Sequence, residues 1–444
     1  MKNLGFFFSV NILLGLLVGG HPVIGQESPA PDSTINERIQ ALDQKVQELE
    51  KRLQSEKKSN GTSANVPVAA SAGKDGFTLK SSDGDYLLNL KGVFQFDSFF
   101  FDQDNPTPKG TNGAFSYAPS TFNPRKVRLY FEGTVAKYYD FRLLPDFGNG
   151  QTVLQDAYLD IHYWPDVRLK GGKFKSPVGL ERIQDETSLT FFERALPTNL
   201  VPNRDVGILL HGDPWNGTVS YALGIVNGVA DNALLDTDPN TDKDGVARIF
   251  ISPFKGLAIE PLKGLGIGVS GTYGNQQQGT ASSPNLPVYR TAGQTTFFSY
   301  ALGVVSNGQH IRYSPQANYY WGPFGFIGEY AISSQYVTTG SNTISLTHSA
   351  WQAAISYVLT GEKASYYGLN QEHVFDPGNG NWGAIELAAR YSNLKIDSNA
   401  FPIYASPTSN AAGAREWGGG VNWYLNKNVK VVLDYFDTSF ETAS

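Results

Sequence analysis

From about residue 84 onward, apolar and polar residues alternate along the chain in stretches of roughly ten, separated by turns. One stretch, 88–98, reads LNLKGVFQFDS; another, 127–135, reads VRLYFEGTV. Successive side chains of a strand point to opposite faces, so each stretch has one apolar and one polar face. A soluble sandwich would share that property. Here, however, the strands are long, they follow one another without helical interruption, and cysteine is absent. That order predicts an all-β protein: a transmembrane antiparallel β-barrel, polar inside and apolar outside.

The pattern predicts strands near 86–101, 122–135, 139–147, 153–163, 167–175, 205–213, 217–227, 246–254, 264–274, 309–321, 324–337, 346–360, 382–396, 414–425 and 428–440. Tight turns at 136–138, 164–166, 214–216, 322–323 and 426–427 alternate with long polar loops at 102–121, 176–204, 228–245, 275–308 and 397–413. Short periplasmic turns and long external loops are the asymmetry expected of an outer-membrane barrel. The long connection 361–381, on the periplasmic side, breaks the rule. Tyr138, Tyr139, Tyr163, Trp164, Trp215 and Trp321 crowd the tight turns and fit an interfacial belt. Fifteen strands is an odd number, and a single-chain bacterial barrel closes with an even one. The expectation is therefore about sixteen strands, with the last lying beyond Ser444; the other solution is a strand within 294–305.

Three segments precede the barrel. Residues 1–25, with Lys2, an apolar core and a small-residue site at Val23-Ile24-Gly25, read as a signal peptide. Ile35, Ile39, Leu42, Val46, Leu49 and Leu53 form a heptad seam, predicting a self-associating periplasmic α-helical coiled coil over 33–58. Thr34 and Glu37 have capping-box spacing. Residues 59–75, rich in Ser, Ala, Gly and Lys, read as a flexible linker, and 76–444 as the barrel.

Composition narrows the function. Of 444 residues, 17% are charged and 13% aromatic, which suits strands that meet hydrocarbon on one face. No long apolar run follows the first 25 residues, which argues against a helical membrane protein. A net charge of −6 argues against a nucleic-acid partner. Of the six histidines, only His162 and His211 sit in predicted strands with clear context, and neither has a suggestively placed Ser, so no catalytic residue is assigned. The glycine pattern at 266–271 lacks the crossover helix of a nucleotide site. Asp236, Asp238, Asn240, Asp242 and Asp244 lack the closing Glu of a calcium loop and read as an acidic external loop. No metal or cofactor is expected.

Six pieces carry a resemblance: RKVRLYFEGTVAKYYDFRLLPDFG (125–148), QDAYLD (155–160), KGGKFKSPVGLER (170–182), FFERALPTNLVPNRDVGILLHG (191–212), SYVLTGE (356–362) and GVNWYLNKNVKV (420–431). Together they resemble the phosphate-selective porin O/P family. The resemblance implies a sixteen-stranded homotrimeric porin whose third loop folds into the lumen, where basic side chains line an anion path. It also implies a final strand beyond Ser444.

The loop 176–204 would be that inward loop. It carries Glu181, Arg182, Asp185, Glu186, Glu193 and Arg194, and ends at Arg204. By resemblance, Arg182 stands where a family lysine helps to coordinate anions, and Arg125 matches an arginine of the facing wall. By strand alternation, Lys126 and Arg128 point to the lumen while Val127 and Leu129 face lipid. The candidate anion path is thus Arg125, Lys126, Arg128, Arg182, Arg194 and Arg204, with Lys91, Arg142, Arg168 and Lys170 as further lumen candidates. Guanidinium groups stay charged and offer several donors to replace an anion's water.

Carboxylates temper this. Glu132, Asp140, Asp156 and Asp160 share the same faces. Asp185 and Glu186 replace the small hydroxyl residues of phosphate-specific members and would repel phosphate unless paired with Arg182, Arg194 or Arg204. Residues 326–356 contain no Lys or Arg to match two further family lysines. The expected function is passive diffusion of small hydrophilic solutes, anions such as phosphate foremost and neutral solutes included. The expected location is the outer membrane of a Gram-negative-type bacterium, in contact with its lipid. The alternative is a structural barrel tethering the outer membrane to the cell wall through its coiled coil.

Overall fold

The computed structural model describes residues 2–14, 44–48, 51, 68–73, 76–103, 120–238, 240–276, 279–280 and 284–443. Strands dominate. In chain order they are β1 (Lys2–Leu14), β2 (Val68–Gly73), β3 (Gly76–Ser81), β4 (Leu87–Gln103), β5 (Thr121–Val135), β6 (Tyr139–Asp146) and β7 (Val153–Trp164). Then follow β8 (Val167–Lys175), β9 (Arg204–Gly212), β10 (Val219–Val226), β11 (Asp244–Ile251), β12 (Leu265–Gln276), β13 (Val288–Arg290) and β14 (Thr296–Ser299). The last are β15 (Val305–Trp321), β16 (Phe324–Thr339), β17 (Asn342–Val358), β18 (Ala384–Lys395), β19 (Ala411–Asn426) and β20 (Val429–Thr442).

All fifteen strands expected from alternation are present. Each pairs antiparallel with its sequence neighbour, from β4 through β12 and then from β15 through β20. Short turns suit this meander, because antiparallel strands need only a few residues to reverse.

Three further stretches lie outside those fifteen strands. Residues Lys2–Leu14, read from the sequence as the core of a signal peptide, form a strand that pairs with both β4 and β20. A short apolar run does not by itself distinguish helix from strand, and two open strand edges offer it backbone partners. Residues 68–73, read as part of the flexible linker, form β2 against β3, which in turn pairs with β4 at Leu87–Leu90. The stretch 294–305 supplies no strand to the main sheet: Thr296–Ser299 pairs only with Val288–Arg290, in a separate hairpin. In that hairpin the consecutive Phe297 and Phe298 are both buried, which alternation does not foresee. Of the expected coil over 33–58, residues 44–48 and 51 are helical, and the rest lies outside the described residues.

Burial in the sheet is inverted relative to a soluble protein. Ile208 and Trp417 are 60% and 64% exposed, whereas Arg390 and Asp434 are 2% and 0% exposed. The charged and amide side chains thus share an inner face, and the large apolar ones face outward. Part of the interior is nonetheless apolar. Tyr289, Phe297, Phe298 and Tyr300, on or beside the β13–β14 hairpin, cluster with Leu346, Ile396, Tyr404 and Phe440.

Leu129 lies near the middle of β5 with its side chain outward. Leu129→Arg is therefore expected to cost about 2–4 kcal/mol of folding stability in lipid bilayers, measured by denaturant titration, if the strand lies at the bilayer midplane.

Candidate functional site

Lys126 and Arg128 are two apart on β5 and share its inner face. Arg125 would face outward by strict alternation. The β4–β5 ladder, however, pairs Gln95 with Lys126 and Phe96 with Pro124, so Arg125 is the extra residue of a bulge. A bulge re-aims side chains, and Arg125 reaches the same interior as Lys126.

The loop 176–204 supplies the opposing groups. It begins at Gly179, whose φ of 83° and close Val201 and Arg182 neighbours suit only glycine. A helical turn, Leu180–Ile183, and two 3-10 turns, Glu186–Ser188 and Leu196–Leu200, then compact it. An external hairpin loop would touch only β8 and β9. This one is fastened across the inner face of the sheet. Gly179 N–H donates to Ser270 Oγ on β12 (3.2 Å) and Leu180 N–H to Glu329 Oε2 on β16 (2.6 Å). Arg390 Nη1 on β18 donates to the Glu193 carbonyl (2.8 Å), and Asn422 Nδ2 on β19 to the Thr190 carbonyl (2.7 Å). Phe192 N–H donates to Asp434 Oδ2 on β20 (2.9 Å).

Each of the six candidate residues lines one cavity of about 170 Å³. Arg125 holds Glu193 Oε1 through Nε and Nη2, both at 2.8 Å. Lys126 Nζ lies 2.7 Å from Glu186 Oε2. Arg128 holds Asp146 at 2.6 Å and Glu186 Oε1 at 3.5 Å. Arg194 Nη1 lies 2.8 Å from Glu186 Oε1, and Arg204 Nε 2.9 Å from Asp156. Arg182 donates from Nη2 to the Thr198 carbonyl and to Asn232 Oδ1, both at 2.5 Å, and has no carboxylate partner among the described residues.

Arg290 lines the cavity too, and sequence reasoning missed it. Its segment reads as a surface loop, and nothing local signals that β13 turns inward. Asn199 clasps its backbone: Arg290 N–H donates to Asn199 Oδ1 (3.0 Å), and Asn199 Nδ2 donates back to the Arg290 carbonyl (2.9 Å). Seven basic groups thus face two carboxylates, Glu186 and Glu193, in the lining.

A second cavity shares Arg128, Glu186 and Arg204 with the first and adds Tyr130, Arg142, Tyr158, Lys170, Lys175 and Asp185. Asp185 is exposed there and makes no ion pair among the described residues. The remaining lumen candidates are tied to carboxylates. Lys91 and Arg142 hold Glu132 at 2.6 and 2.8 Å, and Arg168 and Lys170 hold Asp160 at 3.1 and 3.4 Å. His162 and His211 join the same network through Asp140 and Asp160. In the acidic loop, Asp236 pairs with Lys173 and Asp238 with Lys243 (2.5 Å).

The phosphate-selective porin O and P family matches residues 93–442. The chain belongs to that family. As a member, this porin is a protein of the bacterial outer membrane. Among solved structures it is similar to the outer membrane channel DcaP of Acinetobacter baumannii, at 11% identity and a TM-score of 0.47, over 81% of this chain and 99% of that one. OmpT of Vibrio cholerae is 9% identical with a TM-score of 0.46, over 82% of this chain and 99% of that one. OpdK of Pseudomonas aeruginosa, solved with vanillate, is 10% identical with a TM-score of 0.33, over 82% of this chain and 91% of that one. No curated protein sequence matches.

Burial alone would raise the Glu186 carboxyl, but Arg194, Lys126 and Arg128 together hold it well below the ordinary carboxylate range. A lowered folded value means the ion pairs contribute above the unfolded value and are lost only as pH falls toward the folded one. Glu186→Gln is therefore expected to lower stability by about 1–3 kcal/mol. Denaturant titration in detergent should show that difference constant from about pH 8 to pH 5 and shrinking only below the usual carboxylate range.

Proposed function

We propose that this porin forms a closed β-barrel through which small hydrophilic solutes diffuse passively, anions such as phosphate in preference to cations. The pairing of both β4 and β20 with β1 supports closure, since it gives the first and last strands of the series a common neighbour. The loop 176–204 narrows the path, in keeping with its bonds to strands spread around the inner face. A homotrimer follows from the family resemblance.

One observation carries the anion preference: seven basic groups and two carboxylates line the cavity beside that loop. A charged lining of one predominant sign raises the local concentration of counter-ions and speeds their entry, less so at high salt. Arg182 and Arg290 have most to give, because no carboxylate holds them among the described residues. Their donors can replace part of a passing anion's hydration shell. Neutral solutes pass by size alone.

Reversal potentials of the full-length porin in planar bilayers under a potassium chloride gradient test this reading. Anion preference is expected, and Arg182→Ala and Arg125→Ala should each reduce the anion-to-cation permeability ratio about two- to fivefold, an effect that weakens as salt rises. Cation preference that neither substitution changes would remove the proposal.

A further inference from the structure

We infer that Glu186 is a tethered competitor for the anions this porin carries, lodged in an oxyanion site built by Lys126, Arg128 and Arg194. The inference rests on the anion reading above. Both carboxylate oxygens are engaged: Oε2 by Lys126 Nζ at 2.7 Å, and Oε1 by Arg194 Nη1 at 2.8 Å and Arg128 Nη1 at 3.5 Å. Three cations converging on two oxygens is the arrangement that binds a carboxylate or a phosphate.

The site does not depend on Glu186 for its shape. Arg194 is anchored by Nε to the Glu181 carbonyl (2.9 Å) and by Nη2 to the Gln184 carbonyl (2.8 Å), which leaves Nη1 for an anion. Arg128 is anchored by Asp146 at 2.6 Å. Lys126 and Arg128 stand two apart on β5, which fixes their backbone on the same face. Removing the carboxylate therefore leaves a formed, unfilled oxyanion site rather than a collapsed one.

The surroundings bring anions to it. Arg182 and Arg290 line the same cavity and carry no carboxylate partner among the described residues. A free anion entering there meets cations first and then an occupied site. A group on a short tether acts as if present at millimolar concentration or above, so a permeant anion must displace Glu186 to bind. Conduction needs sites that hold an ion weakly enough to release it. Glu186 sets that weakness: the site passes oxyanions quickly and retains them poorly.

The test uses the full-length porin in planar bilayers, with chloride current measured as inorganic phosphate is added. In E186Q, the phosphate concentration for half-block is expected to fall about tenfold, and anion preference to rise, because the tethered rival is gone. E186D keeps the charge but withdraws the carboxylate by one methylene; about a threefold fall is expected. Half-block unchanged in both variants, in a wild type that prefers anions, overturns the inference and leaves the anion reading standing. Raised E186Q conductance without tighter phosphate block also overturns it, since Glu186 would then only pin the loop. A cation-selective wild type removes the anion reading itself, and the inference with it.

Discussion

Hydrocarbon offers no hydrogen-bond partner to a peptide group, so a sheet that faces it must pair every strand with a neighbour on each side. That constraint explains the meander, in which the strands from β4 to β12 and from β15 to β20 follow one another side by side, with β12 next to β15. It also gives physical sense to the pairing of Lys2–Leu14 with both β4 and β20. Once the outer face belongs to lipid, the usual rule of burial reverses, and the charged residues of each strand are left to find partners within.

The interior solves its charge problem unevenly. Along β5 to β9, carboxylates and basic groups alternate in pairs: Glu132 with Lys91 and Arg142, Asp156 with Arg204, and Asp160 with Lys170 and His211. Toward β16 to β20, aromatic side chains of the β13–β14 hairpin fill the space instead. Even there the inner face keeps charged groups, among them Glu329, Arg390, Glu416 and Asp434.

Positioning within the cavity depends on the loops holding one another. Arg312 holds Asp231 at 2.6 Å, and Tyr289 donates to the same carboxylate at 3.1 Å, which ties the loop after β10 to β15 and to the hairpin. The next residue, Asn232, adopts φ 59°, a left-handed conformation that asparagine tolerates, and accepts from Arg182. Asn199, from the loop 176–204, fixes Arg290. Of the two arginines without carboxylate partners among the described residues, Arg182 has its guanidinium held by neutral carbonyl and amide groups, and Arg290 has its backbone held by Asn199.

Alternation is a local property with period two, so the sequence alone determined the fifteen strands, the lumen side of Lys126 and Arg128, and the outward side of Val127 and Leu129. The family resemblance singled out Arg125 and Arg182 and implied that 176–204 is an inward loop. Tertiary structure decided the rest. Whether Arg125 faces inward turned on a bulge against β4, and Arg290 entered the site on a hairpin whose consecutive phenylalanines are buried. The partners of Glu186 come from β5 and from the far end of its own loop, and no pattern along the chain encodes which charges meet. Such pairings are chosen by distance in space once the sheet has curved, and a strand's own repeat carries no information about what lies across from it.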